Sequence, residues 1–150
     1  MKAVTRMRAF FAFCFLIAAA LFAAAASDPW TSADLLAPEK FAPVVAAKGA
    51  RAPVFYVGFN VLFRSKHIPG AVYAGPGSKP EGIALLRQSL KDVGRDREIV
   101  LYCGCCPIEK CPNLRPAFRA AREMGFKNVK VLMLPTRFGI DWVEKGYPYE

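Results

Sequence analysis

The sequence predicts an α/β domain with a central parallel sheet flanked by helices. Two observations carry this. Short runs of Val, Ile, Leu and Phe, such as "APVFYVGF" (52–59), "REIVLYC" (97–103) and "NVKVLML" (128–134), are apolar at almost every position. A strand buried on both faces reads that way, whereas a strand with one wet face alternates. These runs are separated by stretches with helical spacing, and alternation of strand with helix implies crossover units and a parallel sheet.

Each element has a local reason. The segment 28–36 is extended. A helix follows over 38–50, opened by Pro38, because proline is tolerated in a first turn, and Pro43 predicts that it is short or irregular. The run 52–59 is the first strongly apolar strand. Pro69-Gly70 makes a turn into a brief strand at 71–74. Ile83, Leu86, Leu90 and Val93 share one helical face, and that helix ends at Gly94. The strand 97–103 delivers Cys103 at its carboxyl end. Asn113 is placed to cap a helix that stops at Gly125, a residue suited to a left-handed C-cap. A strand over 128–134 and a short helix over 139–146 complete the chain.

The N-terminus is read separately. Lys2, Arg6 and Arg8 precede the uncharged run "AFFAFCFLIAAALFAAAA", and small residues follow it, which is the layout of a secretory signal peptide over 1–26. An uncleaved anchor is the alternative, since roughly 17–25 apolar residues span a bilayer. The alanine-rich second half favours cleavage after Ala26, and with it an exported protein, periplasmic or secreted. Without the three leader cations the remaining chain carries 18 basic and 12 acidic residues. Those cations are scattered rather than striped, which argues against nucleic acid and for a small anionic partner drawn by the overall field.

Four of the five cysteines, Cys103, Cys105, Cys106 and Cys111, lie within nine residues. In an oxidising compartment they could form two bridges. They could shuttle between dithiol and disulfide, or offer thiolates to soft Cu(I) or Zn, although crowding departs from the usual paired zinc spacing. A nucleophilic thiolate is the remaining chemistry. His67 is the only histidine, so no histidine-dependent triad is available. No cofactor motif is present.

Several segments together resemble the rhodanese-like domain family: "KHIPGA" (66–71), "IVLYC" (99–103), Arg115 in "NLRPAFRAA", "MGFKNVKVL" (124–132) and "WVEKGYP" (142–148). The resemblance covers nearly all of 27–150, taken as one such domain. It implies a sulfurtransferase whose thiolate takes the outer sulfur of thiosulfate or a similar donor, carries it as a persulfide, and passes it to a thiol acceptor or partner protein. By motif position it implies Cys103 as nucleophile and Arg115 as the residue that closes the loop. Gly104, Lys110 and Asn113, with the backbone N–H groups before the following helix, are then the candidates to hold the anion. A helix N-terminus favours negative charge by about 0.3–1 kcal/mol, which would lower the Cys103 pKa.

The chain departs from that family in four places. Eleven residues separate Cys103 from Arg115, a much longer loop than usual, which needs internal support. The family's Asp-x-Arg after the early strand becomes Tyr56-Val57-Gly58, with Tyr56 expected to fill the space by packing. Arg137-Phe138 replace a glycine pair, so Arg137 is either a contact for an anionic substrate or a surface residue. Cys105, Cys106 and Cys111 are extra, and serve as a disulfide (Cys106–Cys111 or Cys105–Cys111) that shortens the loop or as resolving thiols. A catalytically silent binding module is the other reading of the same departures.

Overall fold

The computed structural model describes residues 27–47 and 51–150. The expected leader and its cleavage site lie outside the described residues. Strands β1 (Leu35–Leu36), β2 (Val54–Tyr56), β3 (Val72–Tyr73), β4 (Ile99–Tyr102) and β5 (Val129–Leu132) form one five-stranded sheet in the order β1-β5-β4-β2-β3. Every pairing is parallel, with Phe55 opposite Leu101, Leu101 opposite Val131, and Phe55 opposite Val72. The α/β class expected from the all-apolar runs is therefore the observed one.

Parallel pairing forces a crossover between neighbours, and the helices supply it. They are α1 (Pro38–Ala46), α2 (Asn60–Ser65), α3 (Pro80–Leu90) and α4 (Leu114–Glu123). On one face Phe55, Ile99, Leu101, Val129 and Val131 pack against Leu86 and Leu90 of α3 and Phe118 of α4. On the other, Val54, Tyr56, Val100, Tyr102 and Leu132 pack against Phe41 and Val45 of α1 and against Trp142. The period-two alternation of strand side chains thus divides one apolar run between two cores, which is why both parities had to be apolar.

The boundaries are tighter than the sequence suggests. The run 52–59 contributes only Val54–Tyr56 to the ladder, because Pro53 has no donor and Gly58 leaves the sheet. Helix α1 ends at Ala46 with Pro43 inside it, short as expected. Helix α3 stops at Leu90 rather than running to Gly94. Helix α2 was not anticipated: its six residues carry exposed Val61 and Leu62 and show no clean apolar stripe. The C-terminal turn Gly139–Val143 is a π-type turn, wider than the helix expected there.

The C-terminus is stitched to the turn after α2. His67 and Glu150 exchange backbone hydrogen bonds (2.8 and 2.9 Å), and Gly70 N–H donates to Glu150 Oε1 at 2.7 Å. Trp142 is fully buried, stacks on Phe138 at 6.0 Å, and donates its indole N–H to the Pro148 carbonyl at 2.7 Å. Trp142→Ala removes that packing and the donor to a half-buried carbonyl. It should cost about 3–5 kcal/mol, read as a lower urea midpoint at unchanged slope.

Candidate active site

Ligands in open parallel sheets bind beyond the carboxyl ends of the strands, and the cysteine loop leaves β4 at that edge. Cys103 follows Tyr102 directly and is buried at 1% exposure. Gly104 then turns the chain with φ of +78°, a conformation costly for any other residue, and a Cβ there would meet Phe138 Cβ at 2.7 Å. Its carbonyl accepts from Phe138 N–H at 3.1 Å, fastening the loop to the C-terminal segment.

The long loop is supported from within. A single 3₁₀ turn, Ile108–Lys110, plugs Ile108 into the core, and Ile108 N–H donates to the Leu134 carbonyl at 3.0 Å. Arg115, in the first turn of α4, donates to the carbonyls of Glu109 (2.8 Å) and Cys111 (3.2 Å). Its guanidinium also pairs with Asp28 at 2.6 Å and lies 5.5 Å from the centre of the Trp30 ring. Arg115 therefore clamps the loop to the segment before β1, with three of its five donors used on that clamp. Lys110 is exposed on the 3₁₀ turn and lies outside the cavity lining.

The sulfurs converge. Cys103 and Cys105 Sγ stand 3.2 Å apart, and Cys105 and Cys106 Sγ 3.0 Å apart. Cys103, Cys105 and Cys111 place their sulfurs within 4.8 Å of one another. All four are free thiols in this structure. Asn113 does not cap α4, contrary to the expectation: its side chain makes no cap bond. It points instead into the cluster, donating from Nδ2 to Cys103 Sγ at 3.3 Å and accepting Ser78 N–H at 3.1 Å through Oδ1.

The charge in this cluster rests on Cys111. Hydrogen bonds from the Cys103 and Cys105 thiols, opposed by burial and helped by the N–H groups of Asn113 and Leu114, bring its pKa down to about 3. The helix end thus serves Cys111, and the lowering expected for Cys103 does not occur there. For Cys103 the Cys105 thiol acts downward, but its bond to Cys111, burial and the Cys111 charge prevail, and the thiol is pushed up to about 12. Cys105 is raised by donating to Cys103 and Cys111, and Cys106 by burial.

A cavity of about 270 Å³ opens beside Cys103, Gly104 and Cys105, with Tyr56, Leu62, Lys66, Arg137 and Phe138 among its walls. Arg137, ambiguous in the sequence, is brought to this wall. Tyr56 is the residue that the sequence reading undervalued. It is 2% exposed, and its hydroxyl is the one buried side-chain polar atom among the described residues without a hydrogen-bond partner. Burial, then the charge of nearby Cys103, keeps that phenol protonated well above its ordinary pKa. Gly58 explains itself here, since a methyl group on it would stand 2.7 Å from Tyr56 Oη and 3.0 Å from Cys103 Sγ. The Tyr-x-Gly replacement in the sequence was the available signal.

Comparison with known proteins agrees with this geometry. The model of the rhodanese-like domain matches residues 49–133. No curated protein matches. Among solved structures, the Alr3790 protein of Anabaena sp. superposes with a TM-score of 0.57 at 19% identity, covering 77% of this chain and 90% of that one. BH2092 of Bacillus halodurans gives 0.55 at 20%, covering 77% and 74%. A single-domain sulfurtransferase of Saccharomyces cerevisiae, RDL2, gives 0.55 at 15%, covering 78% and 95%.

Two outcomes follow. The unfolded chain ionises its thiols near pH 9, whereas folded Cys103 holds its proton to about 12. Its contribution to stability is therefore full below pH 9 and lost as pH rises from 9 to 12. The urea midpoint should fall over that window, and Cys103→Ser should flatten the fall. Asn113→Ala leaves the Ser78 N–H and the sulfurs without a partner, so it should cost about 1–3 kcal/mol in chemical denaturation.

Proposed function

Since this chain belongs to the rhodanese-like domain family, we propose that it transfers sulfur as a persulfide on Cys103, taking it from thiosulfate or a similar small anionic donor. The observation that carries this reading is a reactive-position thiol at the base of a cavity walled by Lys66, Arg137 and an unpartnered Tyr56 hydroxyl. The resemblance to family motifs, with Cys103 at the carboxyl end of β4, supports the same residue. The leader-like N-terminus supports an exported, periplasmic or secreted protein, whose acceptor is a small thiol or a redox partner protein.

Cys103 gives its proton to solvent through the cavity and attacks, as the thiolate, the outer sulfur of thiosulfate. The S–S bond of thiosulfate breaks, sulfite leaves with the electron pair, and Cys103 carries the persulfide anion. Tyr56 is positioned to donate its O–H to the anionic sulfur, replacing the cationic position that the chain lacks. Donors aimed at developing charge act strongly where water is excluded. Cys105, 3.2 Å from Cys103, is the resolving thiol. Its attack on the inner sulfur forms a Cys103–Cys105 disulfide, expels hydrosulfide and needs no external oxidant. Arg115 acts through the loop it clamps.

Incubation with thiosulfate without reductant, followed by peptide mass spectrometry, should find one added sulfur on Cys103 in Cys105→Ser, released hydrosulfide with a Cys103–Cys105 disulfide in the parent, and neither in Cys103→Ser. Two stable disulfides with no sulfur uptake would favour a stapled binding module instead. Tyr56→Phe deletes only the unpartnered hydroxyl. It should leave thermal stability unchanged or raised while slowing sulfur uptake by roughly 100-fold.

A further inference from the structure

Three sulfurs around one point constitute a ligand set as well as a nucleophile. A metal–thiolate bond is about 2.3 Å, so two sulfurs on one ion stand no more than about 4.6 Å apart. The sulfurs of Cys103, Cys105 and Cys111 lie within 4.8 Å of one another, and no other such group of cysteine, histidine or carboxylate ligands occurs among the described residues. Small side-chain rotations would bring all three onto one ion. Cys103 and Cys111 are buried, whereas Cys105 is partly exposed and, with Cys103, faces the cavity, which supplies an access route.

We propose that Cys103, Cys105 and Cys111 form a three-coordinate site for a soft monovalent ion, Cu(I). The donor set is all sulfur, which selects soft ions over Mg²⁺, Ca²⁺ or Mn²⁺. Zinc closes a tetrahedron, and its fourth ligand here would have to be solvent, because Cys106 stands outside the group. Cu(I) is satisfied by three thiolates. Cys103 and Cys105 release their protons to solvent as their sulfurs bind, Cys111 binds as the thiolate it already is, and no electron moves. The product carries excess negative charge, and the surroundings are built for that. Asn113 Nδ2 donates to Cys103 Sγ at 3.3 Å and faces Cys105 Sγ at 4.0 Å, while the N–H groups of Asn113 and Leu114 serve Cys111. Partners that orient metal ligands in this way raise affinity.

The test is an anaerobic titration of the reduced chain with Cu(I) against a chromophoric Cu(I) chelator, with X-ray absorption to count sulfurs. One Cu(I) per chain with three sulfur neighbours is expected, undisturbed by excess Zn(II). Cys111→Ser should weaken binding by at least about 100-fold. Cys105→Ser, at a half-buried position that folding tolerates better, should do the same, and Cys106→Ser should bind as the parent does. Failure to compete with the chelator, preference for Zn(II), or equal loss in Cys106→Ser would overturn the assignment. The titration reads metal and not sulfur, so its outcome is independent of persulfide formation at Cys103.

Discussion

The site depends on the side chain of Asn113. It is the only amide or charged side chain that is buried among the described residues, so its amide must find partners or cost the domain a few kcal/mol. It finds them in two directions. Ser78 N–H reaches its oxygen from the loop before α3, and its nitrogen reaches the sulfur of Cys103 at the end of β4. One carboxamide therefore ties the strand that delivers Cys103 to the helix that follows the loop and to the segment leading into α3. The same bond places a neutral donor, rather than a full positive charge, against the sulfurs. The negative charge of the cluster concentrates on Cys111, stabilised first by the Cys103 and Cys105 thiols and then by the N–H groups of Asn113 and Leu114.

The length of the loop is a consequence managed by the same economy. A stretch of eleven residues between Cys103 and Arg115 would be too mobile to hold sulfurs in contact if it were merely tethered at its ends. Here a buried Ile108, one 3₁₀ turn and the two carbonyl bonds of Arg115 remove that freedom. These contacts support the loop independently of the cysteines, all four of which are free thiols in this structure. Arg115 itself is anchored outward by Asp28 and Trp30, which joins the segment preceding β1 to the integrity of the active loop.

The two cores meet at the site from opposite parities of the strands. Cys103 belongs with Leu101 and Phe118, whereas Tyr56 belongs with Tyr102 and Trp142. They converge because Tyr56 ends β2 and Cys103 follows the last residue of β4, where Gly58 admits both groups to one small space. A phenol that burial holds neutral stands there beside a thiol that its bond to Cys111 and burial hold neutral. An incoming anion would there meet a donor with no competing partner.

Much of this was legible in the chain of residues. Doubly apolar strands, helical periodicity at Ile83–Val93 and the motifs around His67, Cys103 and Trp142 determine an α/β domain of the rhodanese-like kind, because they encode local geometry and burial that any fold must honour. Gly104 was likewise legible as a loop residue, though not its left-handed turn. What the sequence could not decide was direction. Asn113 has the residue type of a helix cap, and only the proximity of Ser78 and the sulfurs turned it inward. Arg115 has the type of an anion ligand, and only Asp28 and the loop carbonyls claimed its donors. Tyr56 read as packing, and only the sheet's edge left its hydroxyl facing a cavity. Which cysteine holds the charge was decided last of all, by which sulfur the neighbouring thiols and then the α4 N–H groups reach. Residue type sets what a side chain can bond. The tertiary structure sets which partner arrives within three to four ångströms.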